Sequence, residues 1–79
     1  MPTVLRDGPY RFFFYSGDRD EPPPHVHVER DDCEAKFWLD PVRLERSRGF
    51  SGKEINLIRA IIDRSRQDLL DRWNEYFDG

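Results

Sequence analysis

The sequence predicts an α+β domain: a small antiparallel sheet of four to five short strands, arranged as two hairpins, then one long C-terminal helix packed on one face. Three observations predict it. Apolar and polar residues alternate in short runs through residues 1–50, the period of a strand. Turn-forming residues separate those runs. From residue 53 the apolar spacing changes to that of an amphipathic helix, with no Gly or Pro before residue 79. At 79 residues the chain reads as a single domain, 1–79, with the sheet in 1–50 and the helix in 51–78.

TVLRD (3–7) and YRFFFYS (10–16) flank Gly8-Pro9 and read as the first hairpin. GDRDEPPP (17–24) has no apolar residue besides its prolines; it is a loop that stiffens toward polyproline II. HVHVER (25–30) and EAKFWLD (34–40), separated by Asp31-Asp32-Cys33, form the second hairpin. Residues two apart share a strand face, so Val26, Val28, Ala35, Phe37 and Leu39 face the core, and His25 and His27 face the other way. PVRLERS (41–47) continues the pattern with Val42 and Leu44, and Pro41 marks an edge strand or a strand start.

Ser51 and Glu54 have the spacing of a capping box, and Phe50 precedes the cap where it can staple onto Ile55. The stripe Ile55, Ile58, Ile61, Ile62, Leu69, Trp73 and Tyr76 follows one helix face. An unbroken helix of that length runs to roughly 39 Å, against about 17–20 Å for a five-residue strand. It should therefore overhang the sheet and leave Leu69, Leu70, Trp73, Tyr76 and Phe77 for a partner protein or second copy to cover, unless the helix bends and folds back.

Six Phe, three Tyr and two Trp supply the apolar area that a short chain needs. Charged residues make up 37% of the chain with signs interspersed, the mark of a salt-rich surface on a folded protein. A net charge of −3 argues against a dedicated nucleic-acid coat. Yet residues 41–66 carry seven basic residues against three acidic ones, a local basic stretch. The single cysteine, Cys33, excludes an intrachain disulfide and a C-x-x-C metal motif. The five glycines are scattered, which excludes a Gly-rich nucleotide loop. No apolar run approaches the ~18 residues of a membrane span, and the start lacks a signal peptide's pattern, so a cytoplasmic protein is expected.

His25 and His27 are the chain's two histidines. Imidazoles two apart on one strand face suit an acid and a base about a reacting group or two ligands of one metal. A metal needs at least a third ligand, for which Glu29 and Glu34 are the neighbours. The acid/base reading is preferred, with no cofactor. Arg11 shares a strand face with Tyr15 and would contact phosphate, with Tyr15 as an auxiliary donor. Arg30, Lys36, Trp38 and Lys53 are candidate binding residues: Trp38 as a base-stacking platform, and Lys53 beside a helix N-terminus that can hold one phosphate.

"MPTVLRDGPYRFFFYSGD", "EPPPHVHVER" with "EAKFWLDPV", and "GFSGKEI" leading to "LLDRWNEYF" together resemble the small bacterial family called domain of unknown function 4160. The usual middle motif has two prolines before the first His; this chain has three. His25 and His27 match the family's His pair, Arg11, Phe12 and Phe14 its aromatic strand, and Ser51 and Trp73 its helix. The resemblance implies a gene neighbourhood like that of a toxin–antitoxin pair. The resulting expectation is the toxin-like half of a two-gene module, cleaving RNA without a metal alongside a small partner protein, a homo-oligomer or both. The alternative is a non-enzymatic module acting through protein–protein contacts.

Overall fold

The computed structural model describes residues 2–78. Five strands form one antiparallel sheet in sequence order: β1 (Thr3–Asp7), β2 (Tyr10–Phe13), β3 (His25–Arg30), β4 (Cys33–Leu39) and β5 (Val42–Arg48). Two-residue turns join β1 to β2, β3 to β4 and β4 to β5, because Asp7 pairs with Tyr10, Arg30 with Cys33 and Leu39 with Val42. The sheet is thus the predicted α+β sheet at five strands. β5 is an edge strand, and Pro41 sits in the turn just before it, where it costs no ladder hydrogen bond.

The core lies on one sheet face. Phe12, Phe14, Val26, Val28, Ala35, Phe37 and Leu39 pack there against Ile55, Ile58, Ile61 and Ile62, then Leu69 and Trp73. The alternation that predicted the valines and Phe37 as core is therefore realised. At Ser51 the capping box is half realised. The Ser51 hydroxyl accepts from the Glu54 N–H at 3.1 Å. The Glu54 carboxylate instead accepts a bidentate pair from Arg30, at 2.8 Å each, and the Tyr10 hydroxyl at 3.0 Å. This clamp holds the helix N-terminus against β2 and β3, and the guanidinium holds the Glu54 carboxyl below its ordinary range.

The single long helix is corrected to two: α1 (Gly52–Arg64) and α2 (Arg66–Asp78). Ser65 leaves the helical backbone, its N–H shared between the carbonyls of Ile61 and Ile62 while its own carbonyl accepts from Leu69. Arginines on either side pin the break. Arg64 reaches Asp7 on β1 at 2.8 Å. Arg66 donates to the Leu39 carbonyl and to Asp40. Past this break Leu69 and Trp73 are buried in this chain's own core and need no outside cover. Leu70 and Phe77 are half-buried against the same core, and Tyr76 is exposed.

Gly49, between β5 and the helix cap, has φ +92°, and a Cβ there would meet the Cys33 sulfur at 2.8 Å. Both the backbone and the close approach require glycine. Gly49→Ala is expected to lower unfolding free energy in urea by roughly 1–3 kcal/mol. Removing the sulfur as well, in Cys33→Ala/Gly49→Ala, should recover part of that loss. A Gly49→Ala protein as stable as wild type contradicts the assignment.

Candidate functional site

The second sheet face carries the residues singled out from the sequence, and strand register sorts them into rows. Arg11, Glu29, Glu34 and Arg48 lie across one row, Phe13, His27, Lys36 and Arg46 across the next, and His25, Trp38 and Arg43 across the third. The alternation correctly placed both histidines on this face. On that face His25 is fully buried and His27 nearly so.

The cover is the segment between β2 and β3. Residues Ser16–Asp20 form a 3-10 turn that folds over the sheet and buries Asp18. Asp18 ties this turn to its own start, its N–H donating to the Tyr15 carbonyl and its Oδ2 accepting from the Tyr15 N–H at 2.9 Å. The same carboxylate meets both imidazoles. His27 Nε2 lies 3.1 Å from Oδ2 and 3.3 Å from Oδ1. His25 Nε2 lies 3.0 Å from Oδ1.

The hydrogen-bond partners assign the protons. A carbonyl only accepts, so His25 Nδ1, 3.0 Å from the Pro23 carbonyl, donates to it. His27 Nε2 donates to Asp18, which leaves its Nδ1 as a buried nitrogen without a hydrogen-bond partner among the described residues. His25 Nε2 is equally buried; it is close to Oδ1 but off the line a hydrogen bond needs. Burial pushes the His27 pKa down, against the pull of the Asp18 charge, so the ring is held neutral. Burial alone would raise Asp18. The Tyr15 N–H and the two imidazoles outweigh it and hold the carboxyl below its ordinary value.

Aromatic rings wall the cluster. His27 stacks on Phe13 with centroids 5.5 Å apart and meets Tyr15 edge-on at 4.6 Å. His25 sits 5.0 Å from Trp73 of α2 and 5.6 Å from Trp38. Tyr15 also reaches Glu34 at 3.4 Å, and burial beside that carboxylate raises its pKa, keeping the phenol protonated. Arg11 pairs with Glu29 at 2.6 Å and lies over the Phe13 ring. Glu29 and Glu34, the acidic neighbours considered from the sequence, are thus engaged elsewhere, and Asp18 is the carboxylate at the histidines. Its position in a loop without periodicity gave no signal; the one hint was its place among the acidic residues just before the prolines.

The four binding candidates do not form one patch. Arg30 is bound to Glu54 on the helix side of the sheet, and Lys53 lies in the first turn of α1 on that same side. Lys36 and Trp38 occupy the opposite face, with the Lys36 Nζ 4.7 Å from the Trp38 ring centroid. Beyond them the face opens. A β-bulge between the pairs Phe37–Leu44 and Lys36–Arg46 inserts Glu45 as an extra residue. It changes the alternation of β5, so Arg46 and Arg48 join Arg43 on the outer face instead of turning toward the core. All three arginines are exposed, and none has an ion pair among the described residues. Sequence reading registered the basic stretch without this alignment.

A shallow groove of about 240 Å³, lined by Pro2, Thr3, Val4, Arg72, Glu75 and Tyr76, lies apart from both features. Among the described residues, no helix is long and apolar enough to cross a membrane. The chain belongs to the family described as domain of unknown function (DUF4160), whose model matches residues 10–74. No curated protein matches the chain significantly, and neither does any solved structure.

The neutral, buried state of His27 has a pH consequence. Its folded pKa is below its unfolded value, so the unfolded chain binds the extra proton and stability is lost as pH falls below about 6.5. The depressed Asp18 carboxyl adds a further loss as pH falls below about 4. In chelator-containing buffer, urea unfolding should show the first loss in wild type, and His27→Gln should remove its part. Equal stability at about pH 7.5 and pH 5 in wild type would overturn the assignment. Asp18→Asn, which unpairs a buried charge cluster, should cost on the order of 3 kcal/mol by the same measurement.

Proposed function

We propose that this DUF4160 protein binds single-stranded RNA on the open half of its outer sheet face, across Arg43, Arg46 and Arg48 with Trp38 beside them. The observation that carries the reading is the β5 bulge, which aligns three exposed arginines without ion pairs among the described residues next to a half-buried indole. Guanidinium groups spaced along an edge strand suit a phosphate backbone, and an indole face accepts any unpaired base. A local cationic strip works on a chain of net charge −3 because screening over roughly 8–10 Å at physiological salt isolates it from distant acidic groups. RNA, rather than DNA, is the choice that the family's toxin–antitoxin-like setting supports, and a two-gene module remains the biological context proposed.

His25 and His27 do not serve as the acid and base in this reading. A general acid must come within hydrogen-bond reach of substrate, and these nitrogens lie beneath the 16–24 segment, facing Asp18 and the Pro23 carbonyl. Their role is to shape and hold the face that Trp38 and the arginines present. A partner protein fits a separate place: the groove beside Tyr76, a large aromatic residue left 42% exposed at the end of α2.

Binding to a labelled single-stranded RNA should weaken steeply with salt. Arg43→Glu/Arg46→Glu/Arg48→Glu should abolish it. Single Arg→Ala changes should flatten the logarithmic salt slope by about 0.7 for each phosphate that is no longer neutralised. Trp38→Ala should weaken binding by about 1–3 kcal/mol. Equal binding by the triple variant overturns the proposal, as does a clear preference for single-stranded DNA for the choice of RNA.

A further inference from the structure

The geometry points to a second site on the same face: Asp18, His25 and His27 form a binding site for a divalent transition-metal ion of the zinc class, closing the 16–24 segment onto the sheet. One ligand atom from each residue can be chosen so that all lie within 4.8 Å of one another, and all three residues are buried. Zinc holds His nitrogen and carboxylate oxygen at about 2.0–2.2 Å, so neighbouring ligands on a tetrahedral ion sit roughly 3.3 Å apart. His25 Nε2 and His27 Nε2 lie 3.0 and 3.1 Å from the two Asp18 oxygens. Small shifts convert these contacts into a shared coordination shell.

Proton assignment gives the independent argument. His25 Nδ1 donates to the Pro23 carbonyl, which leaves Nε2, fully buried 3.0 Å from an Asp18 oxygen and without a hydrogen-bond partner among the described residues, as the nitrogen available to a metal ion. A histidine whose other nitrogen donates to a backbone carbonyl is the arrangement that orients metal-binding imidazoles. His27 contributes its Nε2 by giving up the bond to Asp18, and its proton moves to Nδ1, which has no acceptor among the described residues. That cost makes the site weaker than a closed four-ligand structural zinc site. Imidazole with carboxylate selects zinc, cobalt or nickel over magnesium or calcium.

The test uses tag-free full-length protein stripped with chelator, with Cys33→Ser as the parent so that the free thiol cannot contribute. Co²⁺ should bind at one equivalent with visible ligand-field absorption, Zn²⁺ should displace it, and saturating Zn²⁺ should raise the melting temperature. Asp18→Asn should weaken Zn²⁺ binding by more than about 10-fold. If that variant does not fold, the parent still decides: Zn²⁺ must shift the His25 and His27 Nε2 resonances while His25 Nδ1 stays protonated. Absence of stoichiometric binding overturns the inference, and so does binding that leaves both Nε2 resonances unmoved. RNA binding by Trp38 and the arginines is measured separately, so either proposal can fail alone.

Discussion

The carboxylate of Asp18 is the constraint on which the outer face depends. A charged group is buried here only because the Tyr15 N–H and two imidazoles surround it. Those contacts tie together three parts of the chain: the end of β2, the 3-10 turn of Ser16–Asp20 and the start of β3. Without them the 16–24 segment has no apolar residue besides its prolines to hold it to the sheet. With them, Phe13, His25 and His27 lie under cover, and the sheet has a second, smaller buried layer opposite its main core.

Coverage of β2 and β3 leaves β5, beside the half-buried Trp38 of β4, as the exposed part of that face, and the bulge at Glu45 determines what is displayed there. In an unbroken strand Arg43 and Arg46 would point to opposite sides. One inserted residue puts both outward and keeps Val42 and Leu44 on the core side. The buried cluster and the cationic strip meet at Trp38, whose ring contacts His25 on one side and the Lys36 ammonium on another.

Much of the architecture was legible because alternation and turn residues are local signals. The pairs Val26/Val28 and Ala35/Phe37, the Gly8-Pro9 turn and the Ser51 cap all followed from neighbouring residues. The break at Ser65 did not, because Ile58, Ile62, Leu69 and Trp73 keep a continuous helical stripe across it. It is stabilised by Arg64 and Arg66 reaching residues far away in sequence. Burial of the histidines was hidden for the same reason. Alternation gives the face of a strand, whereas cover comes from a polar loop whose one buried carboxylate has no periodic signature. The bulge likewise lies in the pairing of two strands, so the basic stretch was visible and its alignment was not.

The most direct test of this account is the protonation of the two histidine rings in the metal-free protein near neutral pH, read from long-range nitrogen–proton NMR correlations. A buried Asp18 cluster requires His27 to carry its proton on Nε2 with a bare Nδ1, and His25 to carry one on Nδ1. Asp18→Asn should disturb both rings. Two rings averaging between tautomers in exchange with solvent, unaffected by that substitution, would contradict the cluster and the closed face built on it.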